Sequence, residues 1–542
     1  MVTAPVRTRL HDLLAGADGR RPDSPALTFG DSTLTYGELR EQVDLAARGL
    51  VAAGLARNDR VAVYMEKRLE TVITIFAVSA AGGVVVPINP LSRARQVRHV
   101  LDDCAVSVLV TTTDRMRSIG SEAGDAKSLQ TVVLVGSDTG GYTDERLRTQ
   151  DWTALLAAGV GAAEPRQAAV DTDVAAILYT SGSTGLPKGV VLSHRNLVVG
   201  AESVSSYLGI GPDDRILAAL PLSFDAGLSQ LTTSFLAGAQ VVLINFLLAT
   251  EVVRVCARHR ITGITGVPPL WIQVADQQWP PDAASGVRFF ANTGGRMPRT
   301  TLDRLRSIFP NAQPFLMYGL TEAFRSTYLE PSEVDRRPDS IGRAIPNAEI
   351  LVVREDGTLC EAGEPGELVH RGPLVSLGYW NDPERTARRF RPAPGRADEL
   401  CTPELAVWSG DLVVRDEDGF LYFVGRNDEM IKTSGYRVSP AEIEEVAYES
   451  GVVRDAVALG LSDPRLGQQI VLIVTLRPDV APDGAAVGTH MRQTLPRYMV
   501  PGRIVVRTEM PRSANGKFDR TVLRAELEGA AGAAEAPDGA AR

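Results

Sequence analysis

A short stretch rich in glycine, hydroxyl side chains and lysine is the part of this 542-residue sequence whose residue types point most directly to chemistry. The stretch, YTSGSTGLPKGVVLSHRN, spans residues 179–196 and follows VAAILYT, a short apolar run typical of a buried strand. Backbone N–H groups of a glycine turn and Ser and Thr hydroxyls can converge on anionic oxygens, and Lys188 adds a positive charge. The pattern therefore predicts a phosphate-binding loop.

Two common loop types do not fit this stretch. In a P-loop the lysine follows the second glycine directly and a Ser or Thr comes next, but here two residues separate Gly185 from Lys188, and Gly189 follows. A nucleophile elbow needs G-x-S-x-G, and the glycines of GSTG are too close together. A surface turn without a ligand is the remaining alternative, and the clustering of suitable residues after a buried strand favours binding.

Composition and charge narrow the class of protein. Hydrophobic residues make up 44% of the chain, and the formal net charge of −9 argues against nucleic acid or an anionic membrane surface as a partner. The apolar stretches are broken by glycine and polar residues, so no membrane span or signal peptide is expected. The cysteines form no C-x-x-C pair, which predicts a reduced, cytoplasmic chain without disulfides or zinc: Cys104, Cys256, Cys360 and Cys401.

The elements that must position the loop follow an α/β pattern. Helical stretches, one of which opens with a capping box of Thr35 and Glu38, alternate with short β-branched runs such as RVAVYM, VSVLVTTT, TVVLVG, QVVLINF and GITGV. Alternation of this kind predicts parallel sheets covered by helices. After about Ile341 the turn signals at 356–357 and 418–419, both Asp-Gly, indicate hairpins and a small β-barrel-like subdomain over 341–427.

A second domain is predicted at the C-terminal end. Ser439, Pro440 and Glu442 form a strong helix start, with an N-cap, a proline at the first helical position and a glutamate at the third. The sequence thus divides into a large N-terminal core over 1–427, a small α+β lid domain over 428–527, and a tail over 528–542. The tail is small and polar, and we expect it to be disordered.

The Gly-rich loop is one of an ordered series of motifs that resembles the AMP-forming adenylate superfamily, which includes acyl-CoA synthetases, adenylation domains of nonribosomal peptide synthetases, and luciferases. The resemblance covers about residues 10–525. SFDAGLSQLTT and MYGLTEAFRSTYLEP look most like exosortase-associated acyl-CoA ligase-like proteins and stand-alone amino-acid adenylating enzymes. The other motifs are AGGVVVPINP, NTGGRMP, GELVHRGPLVSLGYWNDPERT, WSGDLV, GRNDEMIKTSGYRVSPAEIEE, LPRYMVP and PRSANGKFDR.

The resemblance implies a two-step reaction that needs ATP and Mg²⁺. A carboxylate attacks the α-phosphate and releases pyrophosphate, and a thiol then takes the acyl group while the mobile lid domain turns about a hinge. Lys517 would act in the first step and Lys432 in the second, with Ser434 and Gly435 beside the incoming thiol and Asp428 at the hinge.

The resemblance also implies a role for each nucleotide-site residue. Glu322 would hold the metal through its carboxylate, as a hard cation prefers. Asp411, helped by Arg426, would accept the ribose hydroxyls, and Tyr318 would stack on adenine. Phosphate and purine contacts would come from Thr180, Ser181, Gly182, Ser183, Thr184, Gly185, Lys188, Gly294, Gly295, Arg296, Gly319, Thr321 and Phe423. Plain core packing remains the alternative for Tyr318 and Phe423.

The identity of the acid depends on two charged positions. Asp225 lies where amino-acid enzymes of this superfamily place an Asp that neutralises the substrate ammonium, and Arg325 could bind a second carboxylate in a bidentate manner. Both together favour a small amino acid, acidic or in a β-amino form. The alternatives are that Asp225 pairs with a protein donor and that Arg325 pairs with Glu330 or with Asp225. The other expected pocket residues are Ala226, Ser229, Gly266, Ala291, Thr293, Met317 and Ser326.

The thiol acceptor and the reaction class leave alternatives open. No carrier domain is recognised in the sequence, so we expect a separate acyl or peptidyl carrier protein in trans, or CoA. An acyl-CoA synthetase acting on a non-amino acid is the alternative function, and a luciferase-like oxygenase uses the same adenylate. A non-catalytic nucleotide-binding module is disfavoured because Lys517 and Glu322 are both present.

Overall fold

The structure of the protein is a computed structural model. It describes residues 7–15, 22–136, 146–165, 169–180, 187–395, 399–426, 431–433, 436–463, 466–478, 484–495, 499–513 and 516–534. No helix in these ranges combines the length and the apolarity needed to cross a bilayer.

The strands are short, and most are buried on both faces, as expected for sheets covered by helices. They are β1 (Pro25–Phe29), β2 (Ser32–Thr35), β3 (Arg60–Tyr64), β4 (Val84–Pro87), β5 (Val108–Thr112), β6 (Thr131–Val135), β7 (Arg148–Asp151), β8 (Val174–Thr180), β9 (Lys188–Ser193), β10 (Arg215–Ala218), β11 (Gln240–Leu243), β12 (Gly263–Gly266), β13 (Phe289–Asn292), β14 (Gln313–Tyr318), β15 (Thr327–Leu329), β16 (Ser340–Ala344), β17 (Glu349–Val353), β18 (Pro365–Arg371), β19 (Phe390–Pro392), β20 (Leu405–Arg415), β21 (Leu421–Arg426), β22 (Ile431–Thr433), β23 (Tyr436–Val438), β24 (Val453–Asp463), β25 (Gly467–Leu476) and β26 (Arg503–Arg507).

The α-helices pack against these sheets. They are α1 (Tyr36–Ala52), α2 (Leu69–Ala80), α3 (Ala94–Asp103), α4 (Thr113–Gly124), α5 (Trp152–Gly159), α6 (His194–Leu208), α7 (Asp225–Ala237), α8 (Ala249–His259), α9 (Pro268–Ala275), α10 (Pro281–Gly286), α11 (Arg299–Ile308), α12 (Pro383–Arg389), α13 (Pro440–Glu449), α14 (Ala485–Thr494) and α15 (Arg520–Ala534). Short 3-10 helices occupy Leu10–Ala15, Thr321–Ala323 and Pro331–Glu333.

The strands form three sheets. The first has the order β7-β6-β5-β3-β4-β8-β9 and is parallel except for its last pair. The second runs β17-β18-β20-β21-β16-β15-β14-β13-β12-β10-β11-β1-β2, with β19 beside β20. It is parallel from β1 to β14 apart from β2, and the strands from β14 to β21 pair antiparallel. The third, β23-β22-β25-β24 with β26 beside β25, belongs to the C-terminal part.

This topology brings the predicted motifs to one place. The parallel strands β12, β13 and β14 lie side by side, so the turns that follow their carboxyl ends meet at one edge of the second sheet. β8 ends at Thr180, directly before the Gly-rich loop, and β9 begins at Lys188. Helices α6 and α7 lie between the first two sheets in one apolar core, which holds the two sheets together.

The expectation of a large α/β domain followed by a β-rich section and a small α+β domain is confirmed. Each strand predicted from an apolar run is present, and the capping box of Thr35 and Glu38 begins α1. The Asp-Gly turn at 418–419 joins β20 to β21, with Gly419 at φ +84°.

Two local predictions about the C-terminal domain are wrong in detail. Helix α13 begins at Pro440 as expected, but the Ser439 side chain makes no capping hydrogen bond. The composition predicts a tail from residue 528, yet α15 continues to Ala534, because its alanines are the best helix formers. The hinge position Asp428 and residues 535–542 lie outside the described residues, so the exact domain boundary stays a prediction.

Candidate active site

Three side chains meet at the start of β9: Lys188, Glu322 and Tyr379. Lys188, the first residue of β9, donates from Nζ to Glu322 Oε1 at 2.9 Å and to the Tyr379 hydroxyl at 2.7 Å. The Tyr379 hydroxyl in turn donates to the same carboxylate oxygen at 2.5 Å, and the ammonium lies 4.2 Å from the centre of its ring. The fold therefore joins two residues predicted for phosphate and metal binding through a tyrosine that sequence reasoning missed, although GYW was among the recognised motifs.

The Glu322 carboxyl is held in its ionised form. Burial alone would raise its pKa, but the charges of Lys188 and Arg389 and the hydrogen bond from Tyr379 outweigh burial and hold the pKa at about 2. Arg389, which sequence reasoning also missed, comes from the last turn of α12 and approaches Gly410, where an added Cβ would lie 3.1 Å from its Nη1. A buried, ionised carboxylate with cations around it suits a site for phosphate and a hard metal ion.

Residues predicted for the sugar and the base lie together on β14, β20 and β21. The Tyr318 hydroxyl donates to Asp411 Oδ2, and the rings of Tyr318 and Phe423 are 6.2 Å apart at 41°. Asp411 is buried, and strand register places Arg426 opposite it. The side chain of Arg426 lies outside the described residues. Phe423 also packs against the apolar cluster of the β-rich section, so its packing role holds as well.

The turn after β13 contacts Lys517 from the C-terminal domain. Gly294 has φ +75°, and an added Cβ there would lie 3.1 Å from Lys517 Cε. The Lys517 Nζ lies 5.6 Å from the centre of the Phe224 ring, which directly precedes Asp225. The fold thus brings Lys517 to this turn and to the residue before Asp225, across more than two hundred residues of chain, and its role in the reaction stays a prediction.

Arg296, expected in the wall of the purine site, is engaged elsewhere in the described structure. Its guanidinium lies 2.5 Å from Asp339 and 3.5 Å from Glu445 of helix α13. The side chain therefore lies at the junction with the C-terminal domain. Gly295 remains on the turn, where an added Cβ would be 3.2 Å from Pro268 Cγ.

Two of the residues predicted for the acid pocket form a buried ion pair. Arg325 Nη1 lies 2.9 Å from Asp225 Oδ2, and the two residues are 2% and 4% exposed. The Thr321 hydroxyl makes only a long contact of 3.4 Å to Asp225. Of the alternatives left open for these two residues, the structure therefore has the one in which Arg325 pairs with Asp225. Glu330, the other candidate partner, pairs with Arg343.

Arg325 nevertheless keeps an unused donor. Its Nη1 also donates to the Phe324 carbonyl at 2.9 Å, but its buried Nε has no hydrogen-bond partner among the described residues. Arg325 lines a small cavity of about 10 Å³ together with the predicted residues Ala226, Ser229 and Met317. A cavity of this size is about enough for one water molecule, so a substrate tail would have to move the surrounding side chains to enter it.

The remaining predicted pocket residues are buried but do not line this cavity: Gly266, Ala291, Thr293 and Ser326. Ser326 is held by His370, whose Nδ1 lies 2.9 Å from the serine hydroxyl. Burial lowers the pKa of His370 to about 3, so its imidazole is neutral. His370 lies within the GELVHRGPLVSLGYWNDPERT motif, which did not by itself indicate this contact with Ser326.

Several predicted residues are placed only in part. Thr180 ends β8, and its buried hydroxyl has no partner within the described ranges. Gly319 packs tightly, since an added Cβ would lie 2.8 Å from Arg325 Cα. Lys432 is in β22, but its side chain lies outside the described residues. Ser181, Gly182, Ser183, Thr184, Gly185, Asp428, Ser434 and Gly435 lie wholly outside them.

The chain is similar to curated relatives along nearly its whole length. The chain is 30% identical over 519 residues to tyrocidine synthase 3 of Brevibacillus parabrevis, covering 95% of the chain but 8% of that protein. It spans only 6–13% of the length of the first three such relatives, all of them parts of synthases. It is also 32% identical over 515 residues to sulfoacetate–CoA ligase of Cupriavidus necator, covering 94% of the chain and 96% of that protein.

Solved structures and sequence profiles agree with these relatives. ATP-bound MatB from Rhodopseudomonas palustris superposes with a TM-score of 0.82 at 25% identity, covering 96% of this chain and 99% of that one. An anthranilate CoA ligase, AuaEII, superposes with a TM-score of 0.85, covering 97% of this chain and 99% of that one. At 23% identity this match supports the fold alone. The profile of AMP-binding enzymes matches residues 15–380, and that of their C-terminal domain matches 442–517. The chain therefore belongs to the AMP-binding enzyme family, the AMP-forming adenylate superfamily that its motifs resemble.

Proposed function

We propose that this protein activates a small amino acid bearing a second carboxylate, as an acyl-AMP with release of pyrophosphate, and passes it to the phosphopantetheine thiol of a separate carrier protein. The observation that supports this substrate class is the buried Arg325, which lines a small cavity. Its Nη1 pairs with Asp225, but its Nε has no hydrogen-bond partner among the described residues. A buried donor left unpaired is rare and calls for a ligand or another explanation.

The charge balance of the pair favours a substrate tail with both signs. A single extra anion would take Arg325 from Asp225 and leave a buried carboxylate uncompensated, which is costly. A tail carrying an ammonium and a carboxylate gives each member a new partner, so both buried charges remain paired. The reacting carboxylate would then lie toward Lys517, which is beside Phe224 and Gly294.

The nucleotide would lie between the two clusters of the site. Lys188 and Lys517 supply positive charge where the phosphates and the attacking carboxylate meet. Asp411 offers a two-oxygen acceptor for the ribose hydroxyls, with Tyr318 beside it for the base. In the second step Lys432 would face the incoming thiol. The same adenylate could in principle feed an oxygenase, and oxygen consumption by the pure enzyme would reveal that outcome.

The donor set fits Mg²⁺. Glu322 is buried and ionised, and the described residues contain no group of three His, Cys, Asp or Glu side chains able to hold a metal alone. Mg²⁺ commonly takes one or two protein carboxylates and completes its shell with water and substrate phosphates, so a single carboxylate beside Lys188 is sufficient. When bound, the ion neutralises phosphate charge. Glu322 would orient it, and Lys188 would be released toward the phosphates.

Pyrophosphate exchange over a panel of acids tests the proposal. We expect exchange with acidic or β-amino acids and little with long-chain fatty acids; the reverse result would refute an amino-acid substrate. Arg325→Ala should lose acidic substrates selectively. Arg343→Ala, which removes an exposed arginine paired with Glu330, is the matched control. An equal loss for all acids in Arg325→Ala would mean that Arg325 is structural.

A second candidate is acyl-CoA synthesis from a non-amino acid. It is favoured by the match to sulfoacetate–CoA ligase over nearly the full length of both chains, and Arg325 would then bind the anionic group of the acid. Mixing the enzyme and ATP with each acid and either CoA or a phosphopantetheine-loaded carrier protein, then weighing the products, distinguishes the two. Mass gain on the carrier supports the first proposal, and acyl-CoA alone supports the second.

A further inference from the structure

A cluster of four charged residues joins the C-terminal domain to the core beside the candidate active site. The Oε2 atom of Glu445, in α13, lies 3.5 Å from the Nε atom of Arg296. Its Oε1 accepts the backbone N–H of Arg299 at 3.3 Å. Asp339 of the core pairs with both arginines, at 2.5 Å from Arg296. Glu445 is only 8% exposed, so its carboxylate is shielded from water, whereas the side chains of Arg296, Arg299 and Asp339 are 39%, 42% and 46% exposed.

Glu445 also caps a helix of the other domain. Helix α11 begins at Arg299, and its N-cap is Pro298, whose side chain makes no capping hydrogen bond. The first N–H groups of a helix need an acceptor, and a carboxylate there is further favoured by the helix dipole. The Glu445 carboxylate supplies that acceptor from outside the core. The contact is thus a cap as well as an ion pair, and it depends on where α13 lies.

The capped segment is the one that contacts Lys517. Gly294, on which Lys517 lies, is two residues before Arg296 and five before Arg299. Ile272 of α9, a helix of the core, packs in the apolar cluster of the C-terminal domain and adds a further contact. The C-terminal domain is therefore attached at both ends of the 294–299 segment, once through Lys517 and once through Glu445.

We propose that Glu445 is a positioning residue for the first half-reaction. By pairing with Arg296 and capping α11, it holds the C-terminal domain where Lys517 reaches the acid pocket, without itself touching a substrate. The inference rests on the proposed adenylation chemistry, in which Lys517 acts only in the first step. It predicts that loss of the Glu445 contact slows adenylate formation and spares transfer from adenylate to thiol.

The test separates the two half-reactions. Glu445→Gln keeps an acceptor but removes the charge, and Glu445→Ala removes both. We expect adenylate formation, measured in a single turnover, to fall about tenfold in Glu445→Ala and less in Glu445→Gln, since a hydrogen bond to a charged group is involved. Thioester formation from a presynthesised acyl-adenylate should be unchanged or faster. Glu442→Gln, exposed on the same helix, is the matched control.

A second readout does not depend on activity. Spin labels at the exposed native Cys401 and at an introduced Glu509→Cys report the distance between the two domains. We expect the distance distribution to broaden in Glu445→Ala and to stay narrow in Glu442→Gln. An unchanged distribution, or an equal fall of both half-reactions, would overturn the inference. If the parent enzyme activates no acid, the proposed function fails, while the distance measurement still decides whether Glu445 holds the domain.

Discussion

Removing one partner of the Asp225–Arg325 pair should destabilise the core strongly. Arg325→Met keeps most of the side-chain volume but leaves Asp225, 4% exposed, without its 2.9 Å partner. Breaking a buried pair in this way costs about 3–5 kcal/mol. Asp225 keeps a favourable position in the first turn of α7 and a 3.4 Å contact with the Thr321 hydroxyl, so we expect a value near the lower limit, about 3 kcal/mol.

Removing Asp225 instead should lower the free energy of unfolding more than removing Arg325 does. In Asp225→Val the buried guanidinium retains only the Phe324 carbonyl as a neutral acceptor among the described residues, so we expect a loss of about 4 kcal/mol. The double variant removes both charges together. Replacing a buried pair by apolar groups is often nearly neutral, and the double variant should lie within about 2 kcal/mol of the parent.

Urea unfolding of the four proteins, followed by far-UV circular dichroism and by tryptophan fluorescence, measures these differences. The two single losses add up to about 7 kcal/mol. If the pair is formed, the double variant loses far less stability than this sum. Additive losses would refute the pairing, and so would single losses below about 1 kcal/mol, which is the range of exposed ion pairs. The same variants in pyrophosphate exchange report whether the pair also selects the acid.

Three further changes test other parts of the structure. Tyr379→Phe removes the hydroxyl that bonds to both Glu322 and Lys188. We expect pyrophosphate exchange to fall about tenfold with unchanged circular dichroism, and full activity would contradict a role for this hydroxyl in the site. Burial lowers the pKa of His194 to about 4, and its Nδ1 accepts the Leu10 N–H at 3.1 Å. The unfolded imidazole titrates near 6.5, so this stabilisation is complete above pH 6.5 and is lost as pH falls to about 4, by about 3 kcal/mol. Urea midpoints at pH 7 and pH 4.5 should therefore differ less in His194→Gln than in the parent, and equal differences would exclude His194 as the cause. Gly294→Ala should slow adenylate formation at least about tenfold, because the turn has φ +75° and the new Cβ would lie 3.1 Å from Lys517, whereas Gly286→Ala, in open space, should not.

Sequence reasoning predicted best what local residues determine. The strand VAAILYT and the capping box of Thr35 and Glu38 depend on neighbours within a few residues, and both are present. Ser439 marked the right start of α13, but whether its hydroxyl caps depends on a rotamer that spacing does not determine. The end of the chain lacks core-forming residues and so reads as a tail, but the helix propensity of its alanines extends α15 to Ala534.

Partners across the chain were the part that sequence could not supply. Motifs named Lys188, Glu322 and Lys517, but the hydroxyl of Tyr379 reaches Lys188 across 191 residues, and only the folded sheets bring them together. The Asp225–Arg325 pair was left open for the same reason. The two residues are 100 positions apart in sequence, and Phe324, directly before Arg325, has an uncommon positive φ of +59°, which no local pattern predicts.

A common feature of the site is that its charged groups already have protein partners. Lys188 pairs with Glu322, and Arg325 pairs with Asp225. Any ligand that binds here must displace one member of an existing ion pair. An ion of one sign alone would therefore leave a buried protein charge of that same sign without a partner. ATP arriving with a divalent cation brings both signs, and so does an acidic amino acid. The pairing is thus one physical reason why we expect both ligands to be recognised by their balance of charge. For the same reason, acids with a purely anionic tail should be poor substrates unless Asp225 is also replaced.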